Sequence, residues 1–189
     1  NLEKDFESLS QIQSKSSIPF ITVRTGLYQN AGANMVQQLA YSLAHANEYF
    51  NRLDNISNPI TIEVSVGTNY FFEIAKLRAL RLLFETLAAT YDHKLTFKIV
   101  AVPTKRNKTI YDYNVNLLRT TTECMSAILG GADAVTNLPY DALYHKDNEF
   151  GDRISRNQLL ILKNESYFDK VNNPADGAYY IETLTEQLA

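Results

Sequence analysis

The sequence predicts an α/β fold built on a parallel sheet. Extended runs rich in β-branched and aromatic residues alternate four times with helical patterns. The strand starts recur at intervals of roughly 35–42 residues, which suits a strand plus a crossover helix rather than a hairpin. No Asn-Gly or Asp-Gly turn joins neighbouring strand candidates, since Asp176-Gly177 falls far downstream.

A first helix is expected over residues 2–13, where Leu2, Phe6, Leu9 and Ile12 share one face. The first strand reads Ile18-Pro19-Phe20-Ile21-Thr22-Val23. Val36, Leu39, Ala40, Leu43 and Ala44 then recur at three-to-four spacing, predicting a helix that runs to about Leu53. The second strand, Ile60 to Val66, ends at Gly67. Its helix carries Phe72, Ala75, Leu80, Leu83, Phe84 and Leu87, with Glu73, Lys76 and Arg81 interspersed. The third strand runs from about Leu95 to Val102, where Pro103 stops it. A helix from about Tyr113 closes at Gly130-Gly131, because glycine accepts the left-handed conformation past a helix end. A short fourth strand lies near Ala134-Val135-Thr136. Helices are expected from Glu149 to Glu165 and from Tyr179 to Leu188. This pattern fits either a small doubly wound sheet or about half of a (β/α)8 barrel, whose full form takes ~250 residues.

Composition narrows the function classes. The 189 residues carry 18 Lys plus Arg against 21 Asp plus Glu, a net charge of -3 that gives no basic footprint for nucleic acid. No apolar run approaches the ~20 residues of a bilayer span, so no membrane role is expected. Cys124 is the single cysteine, which excludes an internal disulfide and a cysteine-based zinc site, and its helical neighbours predict a buried structural thiol. The sequence opens on Asn1, and we expect a processed or cut piece of a longer chain.

Chemistry in such folds sits at the carboxyl ends of the strands. Here those ends read Arg24 to Gly32, Gly67-Thr68-Asn69-Tyr70, Thr104-Lys105-Arg106-Asn107 and Asn137-Leu138-Pro139-Tyr140. The ring is polar, with cations from Arg24, Lys105 and Arg106, and offers neither a carboxylate pair nor a histidine for proton transfer. Of the three histidines, His45 reads as a packed helix residue and His93 as a solvated turn residue. His145 alone has a route to the site. Tyr28, Tyr70 and Tyr140 lie at strand ends, where a ring lines a pocket while its hydroxyl stays wet.

Five segments, in order along the chain, resemble one enzyme family. They are Gln29-Asn30-Ala31-Gly32-Ala33, Asn69 to Ala79, Leu118 to Ala127, Arg153 to Gln158 and Asp176 to Glu182. Together they are similar to the acyl-CoA mutases of the methylmalonyl-CoA mutase family. The resemblance implies that residues 1–189 are the C-terminal half of a substrate-binding TIM (β/α)8 barrel, about four βα units, with the earlier strands missing. No cobalamin-binding domain is expected here, because the family's Asp-x-His-x-x-Gly anchor does not occur.

The departures from the family pattern are as informative. Catalytic members place a tyrosine and a histidine just before the Gln-x-Ala-Gly segment, and those positions are Gly26 and Leu27. Gln29 is retained. A CoA-contacting arginine falls at Pro59, small and aromatic residues facing the cobalamin are replaced by Lys105 and Arg106, and a histidine falls near Val135. The resemblance therefore implies a non-catalytic small (β) subunit of a cytoplasmic, heterodimeric bacterial mutase. Its catalytic partner would bind adenosylcobalamin and interconvert methylmalonyl-CoA and succinyl-CoA, while this chain would bind no cofactor and no metal. Catalytic residues are expected to be absent, with Gln29, Arg24, Lys105 and Arg106 the candidate substrate contacts. Two alternatives stand beside this: a divergent mutase barrel acting on another substrate, and a module holding an anion or CoA through Arg24, Lys105 and Arg106. Four strands would leave two edges and one sheet face open, so self-association or completion by further chain is expected.

Overall fold

The computed structural model describes residues 2–15, 21–53, 56, 59–91 and 95–189. Four strands, β1 (Thr22–Arg24), β2 (Ile60–Val66), β3 (Phe97–Pro103) and β4 (Ala134–Val135), form one sheet in the order β1-β2-β3-β4. All three pairings are parallel. The helices are α1 (Leu2–Lys15), α2 (Thr25–Asn30), α3 (Met35–Arg52), α4 (Tyr70–Ala88), α5 (Val115–Leu129), α6 (Glu149–Asn164) and α7 (Tyr179–Leu188). Sequential parallel strands with helices between them agree with a partial β/α barrel.

Alternation along the strands separates two faces. Val23, Ile60, Ile62, Val64, Ile99 and Ala101 turn to one side and pack with Leu39, Phe50, Leu77, Leu80, Phe84 and Ala127 of α3, α4 and α5. Phe84 anchors this core, with its ring 5.7 Å from Phe50 and 4.1 Å from Phe97. Thr22, Arg24 and Lys98, on the alternate positions, are exposed, and Thr61 and Glu63 are half-buried. This second face also carries the half-buried Val100 and Val102, and at its carboxyl end α2 packs on it, with Gly26 against Ser65 and Glu63.

Local chemistry sets the helix ends. Asn34 and Gln37 form a reciprocal capping box at the start of α3, and Asn148 accepts a bond from Gly151 N at 2.8 Å to start α6. At the end of α5, Gly131 has φ +81°, the left-handed stop expected from sequence. Gly130 is needed for a different reason, since a Cβ there would lie 2.8 Å from Leu77 Cδ1. The closing helix α7 is clamped to α4 by the Arg78 guanidinium, which reaches Glu182 Oε1 and Asn173 Oδ1, each at 2.6 Å.

The first strand was expected from Ile18, and residues 18–20 lie outside those described. Residues Thr25–Asn30, a strand end for which no helix was expected, form α2. Pro103 belongs to β3, paired with Val66 as its last residue, where a missing N–H costs no ladder bond. Thr104 N then donates to Val66 O at 2.8 Å and completes the ladder.

Candidate functional site

Two clefts open at the carboxyl ends of the strands. One, of about 640 Å³, lies among Gln29, Asn34, Gly67, Asn69, Phe72, Glu73, Thr104 and Arg106. The other, of about 410 Å³, lies over the second sheet face among Arg24, Gly26, Leu27, Asn30, His45, Glu63, Ser65, Val102 and Lys105.

The four candidate contacts separate between them. Gln29 is buried, and its side-chain carbonyl accepts from the Thr104 hydroxyl at 2.6 Å. Arg106 donates to Gln29 O at 2.9 Å and to Ala33 O at 3.4 Å, so its guanidinium ties down carbonyls at the end of α2. Arg24 and Lys105 line the smaller cleft instead. Arg24 Nε donates to Glu63 Oε1 at 3.1 Å, with the Arg24 side chain 71% exposed.

The expected aromatic and histidine placements also shift. Tyr28, Tyr70 and Tyr140 line neither cleft. The Tyr28 hydroxyl is 3.0 Å from His45 Nδ1, Tyr70 packs edge-on against Phe71, and Tyr140 packs with Tyr113. His45, rather than His145, lines a strand-end cleft. It stacks on Tyr49 at 5.0 Å, and burial holds its pKa below the usual histidine value. His145 lies beside Asp141 at 3.3 Å, and His93 is outside the described residues.

Beneath the clefts are two buried ion pairs that the sequence reading did not separate from surface charge. Lys76 Nζ lies 2.5 Å from Glu73 Oε2, 2.6 Å from Ser65 O and 3.3 Å from Gln38 Oε1. Lys108 Nζ lies 2.6 Å from Glu123 Oε2, and Asn107 Nδ2 donates to Glu123 Oε1 at 2.5 Å. Arg119 adds a bond to Asn107 O. The β3–α5 loop is thus fastened to α5 from below. Burial raises the Glu123 pKa and lowers that of Lys108, and each partner opposes the shift of the other. A signal for the first pair was present: Glu73 and Lys76 precede Leu80 and Leu83 at helical spacing on one face.

Cys124 is fully buried, as expected, and its thiol pKa is pushed up to about 12 by burial and by the Glu123 carboxylate. At pH 8 only about one thiol in ten thousand is then ionised, so a disulfide reagent should titrate it in denaturant and leave the native protein unmodified.

Gly26 and Leu27 fall on α2. A Cβ at Gly26 would come 2.9 Å from Ser65 Oγ, so a ring at this position has to displace Ser65. Leu27 is 67% exposed and has no hydrogen-bonding group to offer. Gly26→Tyr is expected to lose about 1–3 kcal/mol through overpacking, part of it recovered in Gly26→Tyr/Ser65→Ala, as read by urea denaturation.

A sequence profile described as methylmalonyl-CoA mutase matches residues 10–189. The chain belongs to the methylmalonyl-CoA mutase family. It is 43% identical over 171 residues to the methylmalonyl-CoA mutase small subunit of Porphyromonas gingivalis, covering 84% of this chain and 28% of that protein. It is 35% identical over 173 residues to the methylmalonyl-CoA mutase of Cereibacter sphaeroides, covering 85% and 24%. To the small subunit of Propionibacterium freudenreichii it is 34% identical over 180 residues, covering 89% and 28%. The chain therefore spans about a quarter of the length of these relatives. Among the described residues, no group of three His, Cys, Asp or Glu side chains could hold a metal, and no helix is long and apolar enough to cross a membrane.

Proposed function

We propose that this chain is part of the non-catalytic small subunit of an adenosylcobalamin-dependent methylmalonyl-CoA mutase. It supports, in a cytoplasmic heterodimer, the partner that interconverts methylmalonyl-CoA and succinyl-CoA. The observation that carries this is Gly26 itself: no ring stands where the family's catalytic chains place one, and a Cβ there would lie 2.9 Å from the Ser65 hydroxyl, which occupies that space. Beside it, the aliphatic Leu27 cannot hydrogen-bond a thioester carbonyl or supply a proton.

The residues present do not fit a corrin ring. Arg106, in a position where the family's cobalamin-facing side chains are small or aromatic, is bonded to backbone carbonyls of α2. The exposed Lys105 puts a second cation beside it. Long charged side chains oppose the dry surface that radical chemistry needs. The names of the Porphyromonas and Propionibacterium relatives support a small-subunit role. The exposed Thr22, Arg24 and Lys98 on the second sheet face and the short edge strands β1 and β4 support completion of the barrel by further chain, or by self-association of this segment in isolation.

Co-expression with a large mutase subunit tests the proposal. The two chains should co-purify in equal amounts, and the large subunit expressed alone should lose yield or turnover. A large subunit that is equally stable and active alone, with no complex formed, contradicts it.

A further inference from the structure

We propose that Tyr28 and His45 form a latch that holds the end of α2 against α3 while His45 is neutral and releases it on protonation. The proposal is independent of the subunit role, because it concerns only how one helix is held.

Helix α2 has six residues, too few to persist without tertiary contacts. One side is fastened to the sheet by groups that do not titrate near neutrality. Thr25 Oγ1 accepts from Ser65 N at 3.0 Å, and Gln29 Oε1 accepts from the Thr104 hydroxyl at 2.6 Å. Arg106 adds a bond to Gln29 O at 2.9 Å. The other side faces α3, and there the side-chain hydrogen bond among the described residues is that of the Tyr28 hydroxyl, 3.0 Å from His45 Nδ1. Rings extend this contact in both directions. Tyr28 packs on Tyr41 at 5.4 Å, His45 stacks on Tyr49 at 5.0 Å, and Tyr49 meets Phe6 of α1 at 6.0 Å. The imidazole therefore stands in the middle of a row of rings that joins three helices.

A neutral imidazole accepts at one nitrogen, and with Tyr28 donating to Nδ1 its own hydrogen lies on Nε2. Protonation puts a hydrogen on Nδ1 and removes the acceptor that the Tyr28 hydroxyl uses. The charge is also poorly received. Burial holds the His45 pKa below 6.5. The titratable and charged groups around the ring are Tyr28 on α2, Tyr41, Glu48 and Tyr49 on α3, and Arg24, Glu63 and Lys105 in the cleft that His45 lines. Glu63 is paired with Arg24 at 3.1 Å and Glu48 with Arg52 at 2.8 Å, which leaves neither carboxylate free for an imidazolium. The Tyr49 ring face attracts a cation, but the lowered pKa shows that burial outweighs it. A histidine whose pKa is lowered in the closed form takes up its proton more readily in the open one. The latch is thus fully held above pH 6.5 and weakens as pH falls through that value toward the pKa of the closed form.

The test uses the full-length chain and amide hydrogen exchange at Gly32 and Ala33. Their N–H groups bond to Gln29 O and Tyr28 O at the end of α2, each at 3.0 Å, so their protection reads its opening. Corrected for intrinsic exchange, that protection should fall roughly three- to tenfold between about pH 7.5 and 5.5. His45→Asn keeps an acceptor near the Nδ1 position and gains no proton, so the fall should vanish. Tyr28→Phe should lower protection at the higher pH and flatten its pH response. Histidine-labelled protein followed by NMR should titrate at His45 with a midpoint below 6.5. Tyr28→Phe should raise that midpoint, because the neutral ring loses its donor. Protection that is equal at the two pH values, a fall that persists in His45→Asn, or a His45 midpoint at or above 6.5 overturns the proposal. If His45→Asn does not fold, Tyr28→Phe decides alone, and a pH response equal to that of the unaltered protein overturns it.

Discussion

Glu123→Ala is expected to cost about 3–5 kcal/mol of folding stability, because it strands the Lys108 ammonium in the interior with its carboxylate gone. The Lys108 and Glu123 side chains are 2% and 0% exposed, so water cannot take over the lost bond. Lys108→Met should cost a similar amount by leaving the carboxylate unpaired. The double variant Lys108→Met/Glu123→Leu should recover most of the loss, since a well-packed apolar pair replaces a buried ion pair at little net cost. Chemical denaturation of the four proteins gives the coupling directly. The pH dependence has a definite sign. A carboxyl with a raised folded pKa contributes most below the unfolded value of 4.5, and its contribution falls as pH rises through the folded value. An ammonium with a lowered folded pKa imposes a penalty that is relieved as pH rises toward 10.5. Both trends should vanish in the double variant.

Lys76→Ala is expected to be comparably damaging, again about 3–5 kcal/mol. Lys76 joins three elements: Glu73 on its own helix, the Ser65 carbonyl at the end of β2, and Gln38 on α3. Its removal leaves the buried Glu73 without its cation, and Glu73 already acts on Glu123 in the direction that raises that carboxyl's pKa. The two lesions should therefore be non-additive when combined, and a double-mutant cycle between Lys76→Ala and Lys108→Met reads the coupling. Independent effects would mean that the strand-end floor is two separate pairs rather than one electrostatic unit.

Much of the fold was legible because period and punctuation agreed. Ile60 to Val66 and Tyr179 to Leu188 were read to the residue, the former from β-branched alternation and the latter from its apolar spacing. The helix stop at Gly131 was legible because only a residue without Cβ takes that φ at no cost. Helix α2 was not, because six residues are too few to show a 3.6-residue period and Arg24 provides no side-chain cap. The site was harder. Arg24, Lys105 and Arg106 read alike as strand-end cations, yet only tertiary placement shows Arg106 spent on backbone carbonyls and His45 brought to the cleft from α3. Lys76 shared a helix face with Leu80 and Leu83, a signal that went unread, whereas Lys108 meets Glu123 only across the 15 residues between the β3–α5 loop and α5, which no local spacing reveals.

The central claim is that this chain performs no isomerisation itself. Purified full-length protein, free of any mutase partner, should be mixed with adenosylcobalamin and methylmalonyl-CoA and assayed for succinyl-CoA. The account predicts no bound cofactor in the absorbance spectrum and no product. Cofactor capture with succinyl-CoA formed over repeated turnovers would contradict it.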